Sequence, residues 1–226
     1  MICPLCRTEH AHFASFNGRE NAQCASCGAL ERHRQQWVWL ERSGLAVRLP
    51  TMRALDLAPH ESFGPAVERL ALSYDSGDLL PGKARRVIDI CDMHDDPDAS
   101  FDFIACTHVL EHVPDDGRAM SELWRVLAPG GVALLSVPLS GATTEEDFAC
   151  DAAERLRRFG QADHVRRYGW DFFDRLAAAG FSAEPVDLRD LTTPEERTEY
   201  GLRTKLPWMD PESRELWVLP VAYRGR

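Results

Sequence analysis

No apolar run in the 226-residue sequence approaches the ~20 residues that a membrane-spanning helix requires. The chain starts Met1-Ile2-Cys3-Pro4, without a basic stretch leading into an apolar one, so no secretory signal is read and a cytoplasmic location is expected. Positive charge is in deficit: 26 basic against 36 acidic residues give a net charge of −10, which argues against broad binding to a phosphate backbone. Internal repeats and low-complexity segments are lacking. With 44% hydrophobic and 27% charged residues the chain is neither disordered nor membranous, and its length allows a core to form without disulfide staples.

The charge is unevenly spread. Residues 1–50 carry six arginines against four glutamates (+2), leaving 20 basic against 32 acidic groups (−12) for residues 51–226. The seven cysteines also divide. Cys91, Cys106 and Cys150 are scattered, with Cys91 and Cys106 expected in the core. Cys3-x-x-Cys6 and Cys24-x-x-Cys27 form two pairs with the spacing of a zinc site. Two thiolates three residues apart on a tight turn reach one ion, and a second such turn completes a tetrahedron. Pro4 stiffens the first turn, and Gly28 permits a backbone conformation that other residues resist. Four cysteine ligands leave no open position, so the expected Zn2+ is structural. Residues 1–28 are thus read as a zinc ribbon and 29–50 as a connecting helix and linker. In that helix, Trp37 is expected to face inward and Trp39 to be partly exposed.

From residue 51 onward, short apolar runs alternate with helical patterns. Runs at 52–57, 70–74, 86–90, 101–105 and 131–137 have the near-continuous apolarity of buried parallel strands. Two further strands are expected at 181–188 and 216–223. Helices are expected after Asp115 or Asp116, ended by Pro129-Gly130-Gly131, and over 171–179. The alternation predicts an α/β fold with helices on both faces of a sheet. Ligands of such sheets bind beyond the carboxyl ends of the strands. Those ends carry Asp56, Asp78 and Asp92, with Asp78 22 residues after Asp56, a spacing suited to a ribose diol.

The stretch Phe101-Asp-Phe-Ile-Ala-Cys-Thr-His108-Val-Leu-Glu-His112, followed by Glu122-Leu-Trp-Arg-Val-Leu-Ala-Pro-Gly-Gly131, resembles the class I S-adenosylmethionine-dependent methyltransferases, in particular their small-molecule, type 11-like subgroup. The likeness covers roughly residues 52–140. It implies a Rossmann-like seven-stranded sheet whose last strand is antiparallel, with residues 51–226 as the methyltransferase domain. It implies S-adenosylmethionine as cofactor. Asp56 and the small residue Ala58 would lie near its methionine portion, and Asp78, or Asp75 in its place, would hold the ribose hydroxyls. Asp92 would accept from the adenine amino group, Met93 would pack on the ring, and Thr107 and His108 would lie beneath the sulfonium. The chain departs from the family in its first loop: where D-x-G-x-G-x-G is usual, it reads Asp56-Leu-Ala-Pro-His-Glu-Ser-Phe-Gly64.

The acceptor site is expected in the insertions 139–170 and 189–215. In the first, His164, Tyr168 and also His108 are candidate catalytic groups, and Arg166 and Arg167 could hold an acidic group of the acceptor. In the second, Trp208 would line the pocket. The Asn/Asp-Pro-Pro-aromatic motif of nucleic-acid N-methylating enzymes has Thr107-His108-Val109-Leu110 in its place. The expected function is methyl transfer to an oxygen or nitrogen of a small metabolite, with neither nucleic acid nor membrane as partner, and with homodimerisation through the ribbon open. Two alternatives stand beside it: an RNA-modifying methyltransferase whose ribbon, with Arg32, His33 and Arg34, binds RNA, and a methyltransferase fold that serves as a binding scaffold.

Overall fold

The structure is a computed structural model that describes residues 1–203 and 213–225. In chain order it contains strands β1 (Ala14–Phe16) and β2 (Arg19–Gln23), helices α1 (Glu31–Arg42) and α2 (Leu45–Arg48), strand β3 (Arg53–Leu57), helix α3 (Phe63–Glu68), and strands β4 (Ser73–Asp78), β5 (Arg86–Val87) and β6 (Phe101–Thr107). Then come helix α4 (Asp116–Val126), strands β7 (Leu127–Ser136) and β8 (Glu145–Glu146), helix α5 (Ala152–Phe159), strand β9 (Arg166–Arg167) and helix α6 (Phe172–Ala178). Strand β10 (Ser182–Asp187), helices α7 (Leu188–Leu191) and α8 (Pro194–Glu199) and strand β11 (Val218–Tyr223) complete it. No described helix is long and apolar enough to cross a membrane. The chain forms two compact units: Met1–Met52 with Pro59–Ser73 and Val186–Leu219, and Arg53–Ala58 with Tyr74–Pro185 and Pro220–Arg226.

In the first unit, β1 and β2 form a hairpin closed by Asn17-Gly18, both at positive φ (47° and 76°), the turn whose twist suits a two-residue loop. Gly28 has φ +75°, a backbone that favours glycine, and a Cβ there would press on the flexible end of Glu61 at 2.7 Å. Helix α1 is buried over most of its length, and Arg34 organises the unit around it. This wholly buried guanidinium donates to the carbonyls of Ala22, Ala29, Tyr200 and Gly201 at 2.7–2.9 Å and stacks over Phe13 at 4.2 Å. It therefore closes the hairpin onto the turn after α8. Burial lowers its pKa, and Glu31, itself buried and pushed up in pKa by the same cause, supplies countercharge. Trp39, expected partly exposed, is buried like Trp37, because α1 is covered on more than one side.

The second unit is built on the seven-stranded sheet, in the order β10-β11-β7-β6-β3-β4-β5. Strands β3, β6 and β7 run parallel and β11 is antiparallel to β7, as the family resemblance implies. Leu55, Phe103, Ile104, Leu134 and Leu135 are fully buried on these central strands. Helix α4 is capped by Asp115, which accepts from Arg118 N, and buries Ala119, Met120, Leu123 and Val126. It ends at Val126, before Pro129-Gly130-Gly131, and these residues lie where the β6–β7 register slips: Phe101 pairs with Leu127 but Phe103 with Val132.

Two strands differ from expectation. The run 70–74 is mostly the turn that closes α3, where Leu70 N and Ala71 N both donate to Val67 O and Leu72 is exposed. The strand proper starts at Ser73. The run 86–90 pairs only over Arg86–Val87, and Ile88 then crosses Gly77 so closely that a Cβ there would lie 2.4 Å from it. The insertion 139–170 is itself folded: β8 and β9 pair antiparallel around α5, laced by Arg166–Glu146, Arg167–Glu145 and Arg158–Asp147 ion pairs.

Candidate functional site

Strand ends of the second unit gather the expected cofactor residues. Asp56 is buried in β3 and accepts from Tyr74 Oη at 3.1 Å; desolvation pushes its pKa up to about 7. Ala58 follows at φ +52°, and its N–H donates to Gly77 O at 2.8 Å. A left-handed alanine costs about 1–2 kcal/mol. The backbone there thus adopts a glycine-like turn although the glycine is missing. His108 does the same at the end of the neighbouring strand β6 (φ +55°), its N–H donating to Ser136 O. Two non-glycine residues in this region, at the carboxyl ends of adjacent central strands, mark a stretch of backbone held under local strain.

Asp78 ends β4 half-buried, with Oδ1 accepting from Leu80 N. Asp75 is engaged by Arg86 at 2.6 Å, which leaves Asp78 as the strand-end carboxylate. Asp92 is exposed, 3.2 Å from His94 Nδ1. Met93 is buried, its N–H held by Glu122 and its carbonyl by Arg125. That Glu122–Arg125 clamp was not read from the sequence. Thr107 ends β6 half-buried.

Past β6 the chain makes a single 3-10 turn, Leu110–His112. It sets His108, Glu111 and His112 at helical spacing. Glu111 is fully buried; burial works to raise its pKa, but the hydrogen bond from His108 Nδ1 at 2.9 Å and that group's charge outweigh it and hold the carboxyl below its ordinary range. His112 Nδ1 lies 3.3 Å from Asp163 Oδ2. His164 is buried, edge-on to His112 with ring centroids 4.7 Å apart, and its Nδ1–H donates to Phe159 O at 2.9 Å. Burial lowers its pKa, so the imidazole is neutral with Nε2 as the free acceptor. Glu111 and His112 joining His164 was missed in the sequence, although the 108/111/112 spacing carried the signal.

Other expected acceptor-binding groups are differently employed. Arg166 is buried and donates to the carbonyls of Leu110, Val113 and Pro114 and to Glu146; it ties the insertion to the turn after β6 and is enclosed by these partners. Arg167 pairs with Glu145. Tyr168 is fully buried, its hydroxyl donating to Asp116 Oδ2 at 2.7 Å, and desolvation together with that carboxylate raises its pKa. Trp208 lies outside the described residues.

In the first unit the four paired cysteines converge, their sulfurs all within 4.8 Å of one another. Cys3 Sγ lies 3.7 Å from Cys27 Sγ, and Cys6 Sγ 3.7 Å from Cys24 Sγ. His10 Nε2 approaches Cys24 Sγ at 3.3 Å. A cleft of about 630 Å³ opens beside them, lined by Cys6, Cys24, Gly28, Glu61 and Arg69 among others. Of the scattered cysteines, Cys106 is buried as expected, and Cys91 is only half-buried.

A methyltransferase domain model matches residues 71–135. Over 42 residues the chain is 50% identical to a Mycolicibacterium smegmatis protein named as a probable S-adenosylmethionine-dependent methyltransferase, covering 19% of this chain and 16% of that one. It is 32% identical over 90 residues to the ubiquinone biosynthesis O-methyltransferase of Psychrobacter arcticus, covering 38% of this chain and 35% of that one. The chain thus aligns with about a third or less of these relatives' length. The crystal structure of an S-adenosylmethionine-dependent methyltransferase from Mesorhizobium loti superposes with a TM-score of 0.55 at 18% identity, over 82% of this chain and 97% of that one. The sheet order and this superposition show the fold of the class I methyltransferases, and the domain match covers residues 71–135 of it.

Proposed function

We propose that the chain transfers a methyl group from S-adenosylmethionine to an oxygen or nitrogen of a small-molecule acceptor. The observation that carries this reading is the set of Asp56, Asp78 and Thr107 at strand ends, with Asp92 in the loop after β5, on a sheet of methyltransferase order over a segment that matches a methyltransferase domain. Bound there, the cofactor supplies an electrophilic methyl on a sulfonium. Asp78 accepts from its ribose hydroxyls, Asp92 accepts from the adenine amino group, and Met93 packs against the ring. Asp56 and Ala58 border the methionine portion. The remaining task of the chain is to align the acceptor with the methyl in line and to exclude water. Similarity to the ubiquinone biosynthesis O-methyltransferase supports an acceptor of metabolite size.

The four cysteines fit structural zinc. Sulfurs about 2.3 Å from a tetrahedral ion lie about 3.8 Å apart, and the two measured separations are 3.7 Å. All four ligands are thiolates, so the ion would order the ribbon and take no part in methyl transfer. A thiolate site also suits a reducing compartment, which supports a cytosolic location. RNA binding through Arg32, His33 and Arg34 loses support, because Arg34 is buried and bound to carbonyls.

Calorimetric titration of the zinc-loaded protein with S-adenosylmethionine and S-adenosylhomocysteine tests the reading. Micromolar binding that Asp78→Ala weakens is expected. No binding by folded protein at millimolar cofactor overturns it.

A further inference from the structure

Glu111, His112 and His164 each have one polar atom fixed by the protein and one left over. Glu111 Oε1 is held by His108, His112 Nδ1 by Asp163, and His164 Nδ1 by the Phe159 carbonyl. In each of the two imidazoles this leaves Nε2 as the free nitrogen, and in Glu111 it leaves Oε2. Glu111 Oε2 and His164 Nε2 are buried without a hydrogen-bond partner. A buried acceptor without a partner costs roughly 1–3 kcal/mol, more when charged, and here two such atoms belong to one cluster. Ligand atoms of all three residues lie within 4.8 Å of one another.

We propose that Glu111, His112 and His164 bind a divalent transition-metal ion, at a second site separate from the four cysteines. Two neutral imidazoles and one carboxylate are a donor set for zinc, iron(II), manganese or cobalt. Metal-bound imidazoles ordinarily have the other ring nitrogen anchored by a carboxylate or a carbonyl, which fixes the tautomer and aims the free lone pair. Asp163 and the Phe159 carbonyl occupy those positions, and His108 does the same for the carboxylate. Donors about 2.1 Å from one ion sit roughly 3–3.5 Å apart, so the three must draw together by about an ångström. His112, half-buried on a one-turn helix, is the member free to do so.

Three protein ligands leave at least one coordination position open, unlike the cysteine site. Resting on the proposed methyltransferase reading, that position would take an acceptor oxygen: the site lies just past the carboxyl end of β6. Bound to the ion, an acceptor hydroxyl would lose its proton to solvent water more readily, and its oxygen would then form the bond to the methyl carbon as the sulfur–carbon bond breaks and S-adenosylhomocysteine leaves. His164 would then serve as a ligand and not as the base.

The test is metal stoichiometry of the full-length protein, measured by elemental analysis after equilibration with micromolar free zinc and removal of the excess. Two equivalents are expected, falling to one in Glu111→Gln and in His112→Gln. Cobalt substitution of the same proteins should leave the thiolate-to-cobalt charge-transfer band intact, which shows that the cysteine site is retained. Wild-type protein that stops at one equivalent overturns the proposal, as does a second equivalent that survives both substitutions. The half-buried His112 keeps the test open if Glu111→Gln fails to fold. Cofactor titration of the same variants stays separate: failure of metal binding with S-adenosylmethionine binding preserved rejects the metal site alone, and the reverse rejects only the methyltransferase reading.

Discussion

His33 on α1 lies against His60 in the loop after β3, their ring centroids 3.8 Å apart, and one turn further along the helix Trp37 meets Phe63 edge-on at 6.4 Å. Gly28, directly after the second cysteine pair, touches Glu61 of the same loop. In the glycine-rich loops of nucleotide-binding folds, glycine gives the backbone its special path. Here the loop after Asp56 has an alanine and a proline, and its later residues are held by α1, at His60 and Phe63, and by the end of the cysteine-bearing segment that leads into α1, at Glu61. Stripping the metal with a chelator should therefore do more than unfold residues 1–28. Pro59 is joined to Ala58 by one peptide bond, so freeing residues 59–63 should relax Ala58. The dissociation constant for S-adenosylmethionine is expected to rise about tenfold, the effect of roughly 1.4 kcal/mol of ordering. Calorimetry before and after chelation, with zinc add-back, checks it; unchanged affinity in the metal-free protein contradicts it.

Arg34 is the second test of that unit. Replacing it by alanine leaves the carbonyls of Ala22, Ala29, Tyr200 and Gly201 without their donor and Glu31 without part of its countercharge. Breaking a buried charged network by removing one member costs about 3–5 kcal/mol. Urea denaturation should show a loss of that order. Lysine should recover little of it, since one ammonium has no planar fork to span four carbonyls. A loss within experimental error would mean that α1 is not fixed through this side chain.

The sheet was legible because buried parallel strands are apolar throughout, and Leu55, Phe103, Ile104 and Leu134 announce themselves that way. Where one run served two purposes, periodicity misled: Leu70 and Ala71 close a helix, and Ser73 to Asp78, rich in serine and aspartate, form the strand. The cysteine cluster was legible from spacing alone. Arg166 and Tyr168 were not, because residue type advertises chemistry and says nothing about burial. Nor was Ala58 readable: its left-handed backbone is imposed by the ladder bond to Gly77 and by the loop beyond, against the preference of the side chain.

That conflict at Ala58 is measurable. Ala58→Gly removes about 1–2 kcal/mol of left-handed strain and returns up to about 1 kcal/mol through the looser unfolded chain. The variant should be as stable as the parent or up to about 2 kcal/mol more stable, with cofactor affinity undiminished. Ala58→Val, whose branched side chain resists positive φ, should lose stability and affinity together. Equal stability of the glycine and valine variants would show that this backbone conformation is not maintained in solution.

Asp56 links stability to pH. Its pKa is raised to about 7 by burial, against about 3.9 in an unfolded chain. Between those values the folded state keeps a proton that the unfolded state has lost. Stability should therefore fall as pH rises from about 4 to about 7, by up to roughly 1.4 kcal/mol per unit from this group, and level off above. Asp56→Asn lacks the proton and should flatten this part of the profile, being more stable than the parent at pH 8 relative to pH 5. Denaturation midpoints across that range decide it, and parallel profiles for parent and variant would place the carboxyl in a more polar setting than its burial implies.

Tyr168 separates a chemical role from a structural one. Its hydroxyl donates to Asp116 Oδ2, which also accepts from Arg175, and its ring packs against Phe172 with centroids 4.7 Å apart. A phenol so enclosed, with its pKa raised by burial and by a neighbouring carboxylate, is a poor proton acceptor at neutral pH. Tyr168→Phe keeps the ring and removes only the hydrogen bond to a charged partner. It should cost about 1.5–3 kcal/mol of stability, while methyl transfer below the melting transition, once an acceptor is in hand, changes by less than about tenfold, well short of the 10²–10⁴ that loss of a general acid or base produces. A variant of parental stability whose rate falls a thousandfold would reverse the assignment and make the hydroxyl part of the chemistry.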